Sequence, residues 1–398
     1  MISLNGSHVT HALQAVQSVM KDPVNWLSFL LNIASINNSC TEFYYPPSYQ
    51  TEDIDSPHPL DPDRGKRSPG LVTALGWMLH GSLFRTAAPE PGPAQKTGPA
   101  PSLSGEGNFR LAKEVGRRYP NQQGSLDNID RLVIFGDSLS DSRGLMFRKS
   151  RHLLPSYHQY YDGRFTNGFI WDEFLSSPAF LNKEAISFAE GGSTSARYSR
   201  LNLLSNILSN LETQIKSYQP FRKDLAILLC GANDYMTLRQ DNIIKVVEKQ
   251  VDDITGLLSR GIENILIMGM PDISLSPEAL KSDERRKYKD ITIAHNALLE
   301  GNVVELKRTF PQKKIFFFNT PAAMEAIVTL AKKIGYNTTQ SYIHHEYIHR
   351  PASGHPHLDI APEYVYNDNV HPTQEIHYAF ATLLNDFIIQ HYGKKGSS

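Results

Sequence analysis

Short, continuous apolar runs recur along the chain from residue 130 onward, and they constrain the fold more than any other feature of the sequence. Five such runs lie at residues 132–135, 185–189, 225–230, 265–270 and 315–318. A run that is apolar throughout is typical of a strand buried on both faces of a sheet. Amphipathic patterns predict helices at residues 242–258, 285–310, 321–334 and 373–391. The alternation predicts an α/β fold with a doubly wound, mostly parallel five-stranded sheet, whose ligands bind at the carboxyl ends of the strands.

The first part of the chain has a different composition. Residues 86–104 contain five prolines and almost no apolar side chain larger than alanine, which predicts a proline-rich linker. Before it, residues 1–85 hold two apolar segments with roughly helical spacing, at 11–36 and 71–84. We therefore expect a partly helical N-terminal extension that serves secretion, targeting or partner binding, followed by the α/β domain over residues 105–398.

Charge and cysteine content argue against several classes of protein. The chain has 40 Lys and Arg residues against 41 Asp and Glu residues, and this formal net charge of −1 argues against nucleic-acid binding. Two cysteines, Cys40 and Cys230, are too few for a disulfide framework. The longest apolar stretches are too short to span a bilayer, and the first 21 residues lack the pattern of a signal peptide. We expect a protein that avoids the general secretory route and contacts membranes only at their surface.

Three of the apolar runs are followed by residues suited to nucleophilic catalysis. Ser138 follows the first run within Gly-Asp-Ser-Leu, where its hydroxyl is expected at the sheet edge, at the start of a helix. Gly192 follows the second run, where a glycine lets a backbone N–H approach a substrate oxygen. Asn233 follows the third run and carries an amide that can donate to the same oxygen. Cap, turn or flexible-connection roles are the alternatives for each motif taken alone.

A histidine and a carboxylate three residues apart stand directly before the last predicted helix. They are Asp368 and His371. A serine hydroxyl is a weak nucleophile until an imidazole accepts its proton, and a carboxylate selects the tautomer of that imidazole. Asp55 and His58 repeat the spacing, but no predicted strand supports them. Together with the three strand-end motifs, this pair predicts a serine hydrolase.

A second motif indicates a competing chemistry. His345, Glu346 and His349 form His-Glu-x-x-His, which binds zinc in proteases when it lies on a helix. Polar residues precede the motif, Pro351 follows it, and no long apolar periodicity surrounds it, so the sequence favours an aromatic and histidine-rich loop. Glu375 is the conceivable third ligand of this zinc-protease alternative.

Longer blocks around these residues resemble the GDSL, or SGNH, hydrolase family, and in particular its glycerophospholipid:cholesterol acyltransferase branch. The resemblance covers about residues 130–392 and includes a type III secreted effector of this branch. The blocks that carry it are FGDSLSDS at 135–142, YDGRFTNGFIW at 161–171, AEGGSTS at 189–195, GANDYMT at 231–237 and VHPTQE at 370–375. The SGNH fold is flavodoxin-like, which agrees with the sheet predicted above.

The resemblance implies a role for each candidate residue. Ser138 is the implied nucleophile, His371 the general base and Asp368 its orienting carboxylate. The implied oxyanion donors are the backbone N–H of Ser138, Gly192 and Asn233. No cofactor or metal is implied.

The resemblance also implies substrates, a partner and a location. It implies phospholipase A and sterol acyltransferase activity on membrane glycerophospholipid and cholesterol, with activation by a host Rho-family GTPase. It further implies injection by a bacterial type III system into the host cytosol, at the cytosolic face of vacuolar membranes. A plain GDSL esterase or lipase without sterol transfer is the alternative, because hydrolysis and transfer share one acyl-enzyme.

Tyrosines are frequent between residues 336 and 366. Tyr336, Tyr342, Tyr347, Tyr364 and Tyr366 lie in this segment. Such rings favour the headgroup boundary of a bilayer, so one hypothesis makes the segment the membrane-contacting rim of the acyl-chain site. The alternative is that these rings pack as an ordinary cover over the sheet.

Overall fold

The computed structural model describes residues 109–120, 124–150, 152, 154–155, 160–198, 208–342 and 362–393. The N-terminal region 1–85, the linker 86–104 and the His345–His349 motif, all discussed above, lie outside the described residues.

Five parallel strands form the central sheet, as the apolar runs predict. The strands are β1 (Arg131–Gly136), β2 (Glu184–Ser187), β3 (Asp224–Leu229), β4 (Asn264–Met268) and β5 (Lys314–Phe318). Their order across the sheet is β2-β1-β3-β4-β5, and every neighbouring pair is parallel. This is the order of the flavodoxin-like doubly wound fold, which confirms the predicted architecture. The runs at 185–189, 225–230 and 265–270 continue past their strands into the turns that follow, where the candidate site lies.

Helices surround the sheet. The described residues form α1 (Arg110–Arg118), α2 (Leu145–Lys149), α3 (Trp171–Ser176), α4 (Leu211–Lys216), α5 (Ala232–Met236), α6 (Ile243–Ser259), α7 (Pro277–Leu280), α8 (Arg285–Thr309), α9 (Thr320–Lys333) and α10 (Gln374–Tyr392). The four long helices α6, α8, α9 and α10 confirm the predicted ones to within one residue at each end. The other helices are nine residues or shorter, too short to show a clear helical periodicity.

The two faces of the sheet carry separate helix layers. One layer holds α1, α3, α9 and α10, which contact one another, and the other holds α4, α6 and α8. Alternate residues of β1 point to opposite faces, so Leu132 and Ile134 join the core beneath the first layer. Val133 and Phe135 are also fully buried, on the other face. Burial on both faces explains why the strands read as continuous apolar runs.

A second, two-stranded parallel sheet lies near the carboxyl end. It pairs β6 (Asn337–Ser341) with β7 (Tyr364–Tyr366), and the sequence analysis did not predict it. The segment after β7 then turns back on itself, with the Asn367 N–H donating to the His371 carbonyl and the Thr373 N–H donating to the Val365 carbonyl. The small sheet therefore determines the position at which the segment containing His371 leaves the core of the domain.

Three of the four described tyrosines of the 336–366 segment pack inside the domain, and the fourth, Tyr364, is partly exposed. Tyr336, Tyr342 and Tyr366 are all buried, and the Tyr336 hydroxyl donates to a Glu375 carboxylate oxygen at 2.9 Å. For these three residues the membrane-rim hypothesis is wrong, because their side chains are buried in the domain. Tyr347 lies outside the described residues. Among the helices described, none combines the length and apolarity needed to cross a bilayer.

Candidate active site

The Gly-Asp-Ser-Leu segment turns sharply at the carboxyl end of β1. A side chain at Gly136 would bring its Cβ within 2.2 Å of the Leu229 carbonyl oxygen on β3, so only glycine fits there. The Asp137 carboxylate accepts a hydrogen bond from the Leu139 N–H at 3.1 Å. Ser138 begins a single 3-10 turn, and the next helix, α2, starts only at Leu145. Ser138 therefore lies at the sheet edge and starts a helical turn, as predicted, and this turn is a 3-10 turn of three residues.

A continuous hydrogen-bonded chain joins Ser138, His371 and Asp368. The Ser138 Oγ lies 2.7 Å from His371 Nε2, and His371 Nδ1 lies 2.6 Å from Asp368 Oδ2. If Nδ1 carries the proton that it donates to the carboxylate, Nε2 is free to accept from the serine hydroxyl. The structure thus brings these three residues together, although Ser138 and His371 are 233 positions apart in the sequence.

The carboxylate of Asp368 is held in its charged form. Burial by itself raises the pKa of Asp368, but attraction to His371 and hydrogen bonds outweigh burial, and the net pKa is below the usual value. Its Oδ1 accepts the backbone N–H groups of Val370 and His371 at 2.7 and 2.6 Å. A carboxylate with this many donors remains an anion facing the imidazole.

The segment at 160–171 holds the His371 turn in place. The Thr166 hydroxyl donates to the Pro372 carbonyl at 2.8 Å, and the Gln374 N–H donates to the Asn167 side-chain oxygen at 2.8 Å. Residues 161–171 carry part of the family resemblance, but the sequence alone predicts no task for them. Its polar residues gave no local signal, because their partners lie about 206 positions away.

Two aromatic residues of the same segment enclose the histidine–aspartate pair. The Phe165 ring centroid lies 5.0 Å from that of His371. The Tyr160 hydroxyl donates to Asp368 Oδ2 at 2.8 Å. Neither residue was a candidate in the sequence analysis.

Gly192 lies in the turn after β2, beside the serine turn. Its φ of +78° is in the left-handed region that favours glycine. The Glu190 N–H donates to the Gly136 carbonyl at 3.1 Å, and the Gly191 N–H donates to Asp141 at 2.9 Å. These bonds join the turn to the Gly-Asp-Ser-Leu segment, and the backbone N–H groups of Ser138 and Gly192 donate to no other described residue.

Asn233 lies in the first turn of α5, at the carboxyl end of β3. Its Nδ2 donates to the Ser193 carbonyl at 3.0 Å, and its Oδ1 accepts the Thr237 hydroxyl at 3.0 Å. An amide nitrogen carries two N–H groups, so one remains for a ligand. All five predicted site residues therefore lie on turns at one edge of the sheet.

A buried carboxylate next to Asn233 joins two of these turns. Asp234 accepts the Ser195 N–H at 3.0 Å and the Ser195 hydroxyl at 3.1 Å, and it also accepts the Tyr198 hydroxyl. Burial raises the pKa of Asp234 to about 7. This residue links α5 to the segment that follows Gly192.

Glu375, the conceivable third zinc ligand, has a different set of partners. Its Oε1 accepts the Leu111 and Ala112 N–H groups at 2.8 and 3.1 Å, and its Oε2 accepts the Tyr336 hydroxyl. The carboxylate thus caps the start of α1. With both oxygens engaged in this way, Glu375 does not fit the role of a metal ligand.

The fold and this site define a serine hydrolase of the doubly wound type. The GDSL-like Lipase/Acylhydrolase family matches residues 132–384, so the chain belongs to this family and is a GDSL esterase or acyltransferase.

Three relatives narrow the class. The chain is 56% identical over 285 residues to the Secreted effector protein SseJ of Salmonella typhimurium, covering 71% of this chain and 70% of that protein. It is 35% identical over 178 residues to the Phosphatidylcholine-sterol acyltransferase of Aeromonas hydrophila, covering 42% and 52% of the two chains. It is 26% identical over 271 residues to the Thermolabile hemolysin of Vibrio parahaemolyticus, covering 63% and 62%.

Proposed function

We propose that this enzyme cleaves an acyl ester of a membrane glycerophospholipid and passes the acyl group to cholesterol or to water. The observation that carries the proposal is the hydrogen-bonded chain from Ser138 through His371 to Asp368. In this geometry His371 Nε2 is placed to accept the serine proton while the carboxylate stabilises the resulting imidazolium. The name of the Aeromonas relative supports the choice of phospholipid and sterol.

Each candidate residue has one role in the acylation step. The Ser138 Oγ bonds to the ester carbonyl carbon as its proton moves to His371 Nε2. The negative oxygen of the tetrahedral intermediate accepts hydrogen bonds from the N–H groups of Ser138 and Gly192 and from the Asn233 amide. The bond from carbon to the glycerol oxygen then breaks, that oxygen takes the proton from His371, and a lysophospholipid leaves.

Deacylation decides between hydrolysis and transfer. Water or the sterol hydroxyl gives a proton to His371 Nε2 and bonds to the acyl carbon, and the Ser138 oxygen takes that proton back as it leaves. Water gives a free fatty acid, whereas cholesterol gives a cholesteryl ester. The outcome depends on how well the site excludes water.

The proposal includes an activating partner and a location. A GTP-loaded host Rho-family GTPase that orders the turns around Ser138 excludes water and lengthens the life of the acyl-enzyme. A stimulation of about 100-fold corresponds to about 2.7 kcal/mol of preference for the ordered state. The printed name of the Salmonella relative supports delivery as a secreted effector, with the host cytosol and the cytosolic face of vacuolar membranes as the proposed site of action.

The test uses vesicles of phosphatidylcholine and cholesterol, with and without a GTP-loaded Rho protein, followed by separation of the lipids. We expect low basal activity, strong stimulation and cholesteryl ester among the products. Release of fatty acid alone, with no response to the GTPase, would leave a plain GDSL lipase.

Two serine variants complete the experiment. Ser138→Ala removes the nucleophile, and we expect no ester cleavage above background from a protein with unchanged melting temperature. Ser140→Ala is the matched control two residues away, because the Ser140 hydroxyl is buried and no described residue forms a hydrogen bond with it. Cleavage by Ser138→Ala at the rate of Ser140→Ala would contradict the assignment of the nucleophile.

A further inference from the structure

One oxygen of the Asp368 carboxylate accepts two side-chain donors. Asp368 Oδ2 lies 2.6 Å from His371 Nδ1 and 2.8 Å from the Tyr160 hydroxyl. The other oxygen, Oδ1, is already engaged by two backbone N–H groups. Tyr160 and His371 therefore share the lone pairs of the same atom. No step of the serine mechanism described above requires this second side-chain donor.

Tyr160 is held in this position by the segment that holds the His371 turn. Its ring lies edge-on to the Phe165 ring at 6.2 Å, and Phe165 in turn lies against His371. The next residue, Tyr161, donates its N–H to the Thr166 carbonyl at 2.8 Å, which closes the turn between them. The tyrosine is thus joined to the same segment whose Thr166 side chain binds the Pro372 carbonyl.

The Tyr160 hydroxyl keeps its proton across the working pH range. Burial raises the pKa of Tyr160 well above its usual value, and the negative charge and hydrogen bond of Asp368 raise it further. The residue is consequently a constant donor to the carboxylate.

We infer that Tyr160 is a positioning residue for ester cleavage, acting through Asp368. Its hydroxyl holds the carboxylate in its orientation toward His371 and competes with the imidazole N–H for Oδ2. The inference rests on the proposed function, since it assigns a task in the reaction that Ser138 and His371 perform.

Loss of this hydroxyl has two opposing consequences. Without its second anchor, Asp368 samples orientations that support the imidazole less well, so the rate of the chemical step falls. In the carboxylate orientations that still support catalysis, Oδ2 accepts a side-chain hydrogen bond from His371 alone. It then stabilises the imidazolium more strongly than it does with Tyr160 present. We therefore expect the acid limb of the pH profile of kcat/KM, which reports the essential base, at higher pH.

Tyr160→Phe tests the inference because it removes the hydroxyl and keeps the ring. We expect kcat on a short soluble ester to fall about tenfold, with KM changing less than about twofold, which corresponds to about 1.4 kcal/mol in the barrier. We also expect the acid limb of kcat/KM to move to higher pH. Rates are expressed per serine titrated with a covalent phosphonate, so that a smaller folded fraction does not imitate the effect.

Tyr161→Phe is the matched control. It removes a neighbouring hydroxyl that makes no hydrogen bond with a described residue, while its ring keeps the contact with Phe169 at 5.3 Å. We expect its kcat and pH profile to equal those of the unmodified enzyme.

A double-mutant cycle tests whether Tyr160 acts through the carboxylate. In an Asp368→Ala background the hydroxyl has no acceptor, so adding Tyr160→Phe should change the residual rate less than about twofold. A full tenfold loss in that background, or an unchanged kcat and acid limb in Tyr160→Phe alone, would overturn the inference. Ser138→Ala separates the two proposals: if it stays inactive while Tyr160→Phe behaves normally, only the role of Tyr160 is wrong.

Discussion

The direction of the Asn233 side chain is decided by its neighbours. The Ser193 carbonyl oxygen can only accept, so the amide atom 3.0 Å from it is Nδ2, and the Thr237 hydroxyl, one helical turn further on, donates to Oδ1 at 3.0 Å. That nitrogen donates one N–H to the Ser193 carbonyl and keeps the other for a ligand. The amide is therefore oriented before any substrate arrives, which is the condition for effective oxyanion stabilisation.

We predict that Asn233→Ala lowers kcat by about 100- to 1,000-fold with little change in KM, because the amide acts on charge that exists only in the transition state. Steady-state kinetics on a soluble ester measure the effect. Asn302→Ala on α8 is the control, since within the described part of the chain its amide bonds only the Leu298 carbonyl of its own helix. Equal kinetics for the two variants would exclude Asn233 from the oxyanion site.

At the scale of elements, the decisive contact joins the 160–171 segment to the amino end of α10. Gln374, the first residue of α10, accepts the Phe169 N–H through its side chain at 2.8 Å and donates its own N–H to Asn167. Gly168 lies between Asn167 and Phe169. A Cβ at this position would come within 1.8 Å of the Gln374 Oε1. The glycine allows the two elements to touch, and that contact positions the His371 turn.

A pair of glycine variants tests this contact. Gly168→Ala forces the buried Gln374 side chain away, so we predict a loss of about 1–3 kcal/mol in the free energy of unfolding and a lower kcat. Gly116→Ala, in the last turn of α1, places its new methyl more than 4 Å from every described atom outside the neighbouring backbone of its own helix, and it should stabilise the protein by up to about 1 kcal/mol. Denaturant unfolding and ester kinetics measure both variants. A neutral Gly168→Ala would show that the segment and α10 separate without cost.

At the scale of the whole molecule, the domain buries carboxylates that are not ion-paired. Asp172 is fully buried, its Oδ2 accepts the Ser142 hydroxyl at 2.7 Å, and its Oδ1 has no hydrogen-bond partner among the described residues. Burial, with the nearby charge of Glu173, raises the pKa of Asp172 from 3.8 to about 8. The folded state keeps this proton where the unfolded chain has released it. The contribution of this retained proton to the free energy of unfolding is complete below pH 3.8 and is lost as the pH rises through about 8.

Asp172→Asn should remove this dependence on pH while keeping an acceptor for Ser142. Between pH 5 and about 7 we predict that the free energy of unfolding falls less steeply with pH for the variant than for the parent. The difference between the two slopes is up to about 1.4 kcal/mol per pH unit. Asp130→Asn is the control, because Asp130 is exposed and pairs only with Lys223 at 3.6 Å. Urea unfolding across this range measures the slopes, and parallel slopes for all three proteins would contradict a protonated Asp172.

The sequence by itself determined the sheet, its long helices and the five candidate residues. Each of these has a local signal, namely an apolar run, an amphipathic period or a short motif, and parallel strands bring the residues after their carboxyl ends to one edge. Ser138, Gly192 and Asn233 could therefore be found from three separate strand ends. The same reasoning placed Asp368 and His371 ahead of the last helix.

Only the tertiary structure decided what surrounds those residues. Tyr160, Phe165 and Asn167 act on a turn about 200 positions away, and no spacing along the chain reports such a contact. The burial of Tyr336, Tyr342 and Tyr366 decided between two hypotheses that composition left open, a membrane-contacting rim and an ordinary packed cover. Protonation of Asp172 likewise follows from its burial, which depends on elements distant in the chain.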